Sequence, residues 1–276
     1  MILDGKKYRN ELLEIYKKEI LDNDLKIKLV IIHVGEDEAS NIYIKNKENA
    51  CKKVGIEVLK YVYEDISEEE LITLIDKLNA DETVTGIILQ SPIPKHLDFD
   101  KISERILASK DVDGFTKENV YNLYLNRKSI LPCTVKGIIK LVEHYNISFD
   151  KKNVTIVGRG NIVGKPLALA LMNRNATVTL CHSHTKDLKE HLKNADIVIG
   201  ATGVPNIIKA DMLKKDVILI DVGVTRVDGK IVGDVDFENC QKICKYITPN
   251  PGGVGPMTVA MIIDNLIEMY KNNNLI

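Results

Sequence analysis

Residues 155–166, TIVGRGNIVGKP, constrain this chain more than any other segment. A β-type apolar run at 154–157 stops at Gly158, Gly160 and Gly164, and helix-forming residues follow. Glycines at a strand-to-helix turn let the backbone approach a phosphate and leave the helix N-terminal N–H groups free to bind it. The spacing G-x-G-x-x-x-G, taken alone, also fits a plain structural turn. Its setting narrows the reading.

Strand-like and helix-like segments alternate through nearly the whole chain. Strands are expected at 27–34, 56–62 and 84–90, then at 154–157, 177–181, 197–200, 217–222 and 246–248. Helical periodicity covers 38–54 and 68–78, and later 135–144 and 257–270. Such alternation argues for an α/β fold with parallel sheets. The glycine turn comes after a full set of βα units. A dinucleotide-binding domain is therefore expected to follow a first domain of about 130 residues. The boundary falls near 131–134, giving domains 1–133 and 134–256.

The 276 residues carry a net charge of −1, which implies no broad attraction to nucleic acid or to an anionic membrane. No apolar run reaches membrane-spanning length, and MILDGKKYRN lacks a signal-peptide core, so the chain reads as cytosolic. Cys51, Cys133, Cys181, Cys240 and Cys244 form an odd, unpatterned set, which suggests reduced thiols. Cys240 and Cys244 could share a helix face, but no further Cys/His pair completes four ligands, and no metal is expected.

Lys47 is the leading candidate for chemistry. At 100° per residue, Ala39, Tyr43, Ala50, Cys51 and Val54 gather on one side of the helix, and Lys47 falls among them, four residues after Tyr43. An amine against an apolar surface is costly to charge, which suits a proton-transfer or water-activating group. The pattern equally fits a lysine snorkelling from the edge of the stripe. Gln90 ends the strand VTGIILQ, and ligands of open α/β sheets bind beyond strand C-termini. A strand-end glutamine also commonly bonds its own loop. Asp111 and Asp113 lie in KDVDGF; either could form a turn, and Asp113 could present a carboxylate to an amidine-like edge. After the strand at 177–181 the sequence reads CHSHT, with Ser183 between His182 and His184. An acidic residue there would favour a free ribose hydroxyl; its absence, with Arg159 in the glycine turn, favours a 2′-phosphate and hence NADP. The loop TPNPGGVGP sets Gly252, Gly253 and Gly255 between Pro251 and Pro256, as a connector or as a place where a flat ring can approach the backbone.

Taken together, GEDEASNIYIKNKENACKKVGI, GIILQSPIP, KDVDGF, LPCTVKGI, IVGRGNIVGKP, TVTLCHSHT, ADIVIGATG, IDVGVTR, GDVDF and TPNPGGVGPMTVAMI resemble, in order and spacing, the bifunctional methylenetetrahydrofolate dehydrogenase/methenyltetrahydrofolate cyclohydrolase family. The resemblance implies a folate-binding α/β domain, completed by the C-terminal helix 257–276, and a Rossmann-type NADP domain with a cleft between them. It implies a homodimer acting on tetrahydrofolate derivatives. It casts Lys47 as the catalytic lysine, Gln90 as its hydrogen-bond partner, Tyr43 as the residue orienting the reacting carbon, and Asp113 as the ligand of the pterin's amino-pyrimidine edge. Arg159 and Ser183 would hold the 2′-phosphate. Gly158, Gly160, Ile162, Gly164, Thr202 and Thr225 would line the cofactor site. Thr134, Pro251, Gly252 and Gly253 would border the substrate. Three positions depart from the family: Gly160 for Ser, Val135 for Pro, and Ser91 for Leu. The pair Tyr43-x-x-x-Lys47 also looks like that of short-chain dehydrogenases, but there the glycine turn precedes the pair, whereas here it follows.

Overall fold

The computed structural model describes residues 1–274 (backbone only at 38 and 39) and divides the chain into two compact units. One comprises Asn10–Cys133 and Val259–Ile276, the other Met1–Arg9 and Thr134–Thr258. Residues 275 and 276 of the expected C-terminal helix lie outside the described residues.

The first unit is built from α1 (Gly5–Asp22, its first turn assigned to the second unit), β1 (Lys28–Val34), α2 (Glu38–Val54), β2 (Glu57–Tyr63), α3 (Glu68–Ala80), β3 (Gly86–Leu89), α4 (Phe99–Ser103) and α5 (Lys117–Tyr124). Its sheet is parallel in the order β2-β1-β3. β1 is central and buried on both faces, which explains its near-continuous apolar sequence KLVIIHV. Val30, Ile32, Val34, Ile87 and Leu89 point to one face and pack with Leu71, Ile75 and Leu78 of α3. α2 starts where the Asp37 carboxylate accepts the Ser40 N–H and stops at Gly55, whose φ of 90° ordinary residues avoid. Lys110 is buried because its Nζ donates to the carbonyls of Leu78, Asn79 and Asp81, which α3 leaves unpaired at its C-terminal end.

The second unit contains α6 (Cys133–His144), β4 (Asn153–Val157), α7 (Gly164–Met172), β5 (Thr177–Cys181), α8 (Leu188–Lys193), β6 (Ile197–Gly200), β7 (Ile218–Asp221), β8 (Thr225–Val227), β9 (Lys230–Val232), α9 (Phe237–Cys240), β10 (Tyr246–Ile247) and the start of α10 (Val254–Asn274). Five strands form a parallel sheet in the order β10-β7-β6-β4-β5. The chain leaves β4 outward to β5 and returns on the other side to β6. The C-terminal ends of β4 and β6 thus flank the point where strand order reverses, the ligand crevice of doubly wound sheets.

α10 begins at Val254, three residues before its expected start. Pro256 then lies in the first turn, where a missing N–H costs no hydrogen bond. The antiparallel hairpin β8–β9 was not expected; it turns through Asp228 (φ 50°) and Gly229 (φ 76°), a pair suited to a two-residue hairpin turn. All five cysteines are free thiols. Among the described residues, no helix is long and apolar enough to cross a membrane, and no three His, Cys, Asp or Glu side chains gather as a metal site.

Candidate active site

In the first unit, Lys47 and Gln90 meet at the C-terminal end of β3. α2 buries Ser40, Ile44, Cys51 and Val54, and Lys47 projects among these residues, half-buried. Its Nζ donates to Gln90 Oε1 at 3.0 Å. Gln90 is buried, and its Nε2 donates to the Ser91 carbonyl at 2.7 Å. That second bond commits the amide nitrogen and turns the amide oxygen to the amine. Ser91 makes the contact through its main chain while its side chain is exposed, so the departure from Leu leaves this bond intact. Tyr43 stands at the margin of the stripe, 48% exposed, with its ring available to solvent. Asp111 and Asp113 separate cleanly. Asp111 is buried and accepts the N–H groups of Gly114 and Thr116 and the Asn119 amide; burial pushes its carboxyl up. Asp113 is half-buried and sits within that turn, which closes across it through the Gly114 N–H and the Asp111 carbonyl.

The sequence reading missed His33. The register pairs Ile32 with Leu89, and Gln90 N–H bonds the Ile32 carbonyl, so the next step puts His33 beside Gln90 on the same sheet face. The ring is 1% exposed and neither nitrogen has a partner. The signal was one polar residue in an otherwise apolar buried strand.

In the second unit, the glycine turn joins β4 to α7 at the switch point. Gly158 has φ 120°, and a Cβ there would come within 2.2 Å of the Ala201 carbonyl oxygen in the loop after β6. A Cβ on Gly164 would meet the Gly158 oxygen at 2.0 Å. These two glycines are required by close backbone approach, and Gly160 is not: nothing lies within 4 Å of its Cβ position. Arg159 and Gly160 are exposed, and Ile162 is 55% exposed. Gly158→Ala should therefore cost about 2–5 kcal/mol of stability, overpacking plus strain. Gly160→Ser should stay within about 0.5 kcal/mol of the parent. Denaturant melts of the two variants check both; equal stability would refute the packing argument.

Ser183 and His184 are exposed just beyond β5. The His182 imidazole is held below its ordinary pKa by desolvation first, then by the nearby charges of Arg159 and His184. The Gly158 N–H bonds the Cys181 carbonyl, so the glycine turn and CHSHT adjoin. Thr225 Oγ1 donates to the Gly203 carbonyl at 2.6 Å. Thr202 is engaged in both directions: its hydroxyl donates to Asp234 Oδ2 at 2.8 Å and accepts the Val204 N–H at 3.0 Å. Near it, burial pushes the Asp221 carboxyl up to about 6; the Asp234 charge adds to this and the Asp234 N–H opposes it. Pro251 is exposed, Gly252 (φ 114°) accepts the Lys6 N–H through its carbonyl, and Gly253 has no room for a Cβ, with Thr248 Cβ and the Pro249 oxygen each 2.7 Å away. Thr134 and Thr258 share a hydroxyl contact of 3.2 Å. Glycine cradle, exposed cation and hydroxyl-bearing loop suit a dinucleotide phosphate.

Residues 132–274 match the family model "Tetrahydrofolate dehydrogenase/cyclohydrolase, NAD(P)-binding domain", and residues 3–113 match that family's catalytic domain. The chain is 49% identical over 277 residues to the bifunctional protein FolD of Aquifex aeolicus (98% of this chain, 95% of that protein). It is similar in structure to the bifunctional FolD methylenetetrahydrofolate dehydrogenase/cyclohydrolase of Campylobacter jejuni, with a TM-score of 0.96, 44% identity and 99% of each chain covered. It is also similar to the Trypanosoma brucei dehydrogenase-cyclohydrolase complexed with NADP cofactor and inhibitor, with a TM-score of 0.94, 32% identity, and 99% of this chain and 98% of that one covered.

Proposed function

The chain belongs to the tetrahydrofolate dehydrogenase/cyclohydrolase family, and on that premise we propose how its residues divide the work. The enzyme oxidises 5,10-methylenetetrahydrofolate to the methenyl compound with NADP, then hydrolyses that product to 10-formyltetrahydrofolate. NADP, when bound, supplies the hydride acceptor. Gly160 and Gly164 present backbone N–H groups to its phosphates, while Gly158, whose own N–H is held by the Cys181 carbonyl, lets the turn pack closely, with Ile162, Thr202 and Thr225 around them. Arg159 and Ser183 hold the 2′-phosphate. Tyr43 orients the pterin so that the reacting carbon is presented correctly, and Asp113 binds its amino-pyrimidine edge. Thr134, Pro251, Gly252 and Gly253 border the substrate. In hydrolysis Lys47 accepts the proton that water loses as it adds to the methenyl carbon, and Gln90 keeps the amine aimed. We take the protein to act as a cytoplasmic homodimer.

The observation that carries this reading is the 3.0 Å bond from Lys47 Nζ to Gln90 Oε1, which ties a half-buried amine to a strand-end amide where α/β sheets bind ligands. A spectrophotometric assay with methylenetetrahydrofolate and NADP tests it. Reduced dinucleotide and loss of the methenyl absorbance are expected; neither signal from folded protein would overturn the assignment.

Cofactor choice has its own test. Arg159 supplies a cation, and CHSHT supplies hydroxyl and imidazole groups with no carboxylate. NADP should be preferred over NAD by about tenfold or more in kcat/KM, about 1.4 kcal/mol. Arg159→Ala should bring the ratio toward one by weakening NADP alone. Equal harm to both dinucleotides would make Arg159 a pyrophosphate or structural residue.

A further inference from the structure

Two carboxylates with no part in the reaction above stand at the C-terminal edge of the second unit's sheet. Asp221 closes β7 and is 4% exposed; Asp234 follows β9 and is 0% exposed. Each occupies space that a glycine leaves. A Cβ on Gly223 would fall 1.8 Å from Asp234 Oδ1, and a Cβ on Gly233 would fall 1.8 Å from Asp221 Oδ2. Asp221 holds the segment that carries Asp234: its Oδ1 accepts the Asp234 N–H at 2.9 Å and its Oδ2 the Val235 N–H at 3.4 Å. Asp234 in turn holds the loop after β6. Its Oδ2 accepts both the Thr202 N–H, at 2.5 Å, and the Thr202 hydroxyl, at 2.8 Å.

The arrangement is poorly suited to stability alone. Two neighbouring buried carboxylates repel each other and lose hydration, and apolar side chains would pin a loop at lower cost. Asp234 Oδ1 is buried with no hydrogen-bond partner at all. What the arrangement achieves is placement. Thr202 follows Ala201, whose carbonyl oxygen lies against Gly158 in the glycine turn closely enough to exclude a Cβ. Asp234 therefore reaches the phosphate-binding turn through one residue and one backbone contact.

We propose that Asp234, locked by Asp221, is a positioning residue for the dinucleotide: its carboxylate fixes Thr202, and through Ala201 fixes the glycine turn that receives the pyrophosphate. The proposal rests on the reading of that turn as the NADP site. The pyrophosphate is common to both dinucleotides, so the effect must fall equally on NADP and NAD. That separates it from the 2′-phosphate role of Arg159.

The test is titration of the full-length protein with NADP and with NAD, alongside steady-state kinetics. Asp234→Asn keeps the shape but removes the charge that accepts two Thr202 donors. It should raise the dissociation constants of both dinucleotides about tenfold, raise KM for NADP likewise, and leave kcat at saturating NADP within about threefold. Thr202→Val removes one of the two donors and should give a smaller rise, and the double variant should be no worse than Asp234→Asn alone. Should Asp234→Asn fail to fold, Thr202→Val decides: unchanged dinucleotide affinity in that variant overturns the proposal. So does a folded Asp234→Asn variant with parental affinities, or strictly additive effects in the double variant. If the parent protein binds neither dinucleotide, the cofactor reading itself has failed, and this proposal falls with it.

Discussion

Lys47→Met is expected to slow hydrolysis of methenyltetrahydrofolate by roughly 10²–10⁴-fold, the range attributed to a positioned proton-transfer group. Dinucleotide affinity should stay unchanged, because the glycine turn belongs to the other compact unit. Projected at 100° per residue, Lys47 falls between Cys51 and Val54, two of the most deeply buried residues of α2. Its amine is nevertheless delivered to Gln90 Oε1, so it does not snorkel away to solvent. Gln90 cannot simply rotate, since its Nε2 is held by the Ser91 carbonyl. Methionine keeps the length and apolar stem of lysine and the helix it sits in, so the variant should fold. Hydrolysis of methenyltetrahydrofolate, followed by loss of its absorbance, measures the effect directly. Parental rates in Lys47→Met would return the residue to an edge-of-stripe lysine with no chemical role.

What the sequence made legible follows from how locally each feature is determined. α2 runs over the expected residues 38–54 because both ends are written in the chain, an Asp37 cap and a Gly55 stop. β5 and β6 coincide with the expected 177–181 and 197–200, since short apolar runs between turn residues leave little choice of boundary. The hairpin β8–β9 escaped because its strands are three residues each and mostly exposed, so no periodicity marks them. Only Asp228-Gly229 announced it. Tyr43 shows a different limit. Hydropathy draws the stripe of α2 through Tyr43, but the buried stripe includes Ser40, which hydropathy counts as polar. Burial is thereby centred nearer Lys47 and leaves Tyr43 at the rim. The contacts of Asp234 with Thr202 span 32 residues, and nothing local in GDVDF encodes them. Motif order could mark such a segment as belonging to a family, but only tertiary contact shows what its carboxylate holds.

KDVDGF contains the sharpest remaining contrast, and it yields a paired expectation. Asp111 accepts three buried donors, from Gly114, Thr116 and Asn119. Gly114, at φ 70°, packs so closely that a Cβ would lie 2.4 Å from the Ile130 carbonyl oxygen. The loop is thus fixed by the residues on either side of Asp113, whose carboxylate remains available to a ligand. Asp111→Ala should strand those donors at about 1–3 kcal/mol each and lower stability by about 3 kcal/mol or more. Asp113→Ala should change stability by only about 0.5 kcal/mol. It should weaken folate binding by about 2–5 kcal/mol if the carboxylate forms a desolvated charge-assisted pair with the amino-pyrimidine edge. That is a loss of roughly thirtyfold to several thousandfold in affinity. Calorimetric titration with the folate substrate, without dinucleotide, reads the second effect, and denaturant melts read the first. Unchanged folate affinity in a fully stable Asp113→Ala protein would sink the assignment, leaving Asp113 as a spacer between the residue that builds the turn and the glycine that closes it.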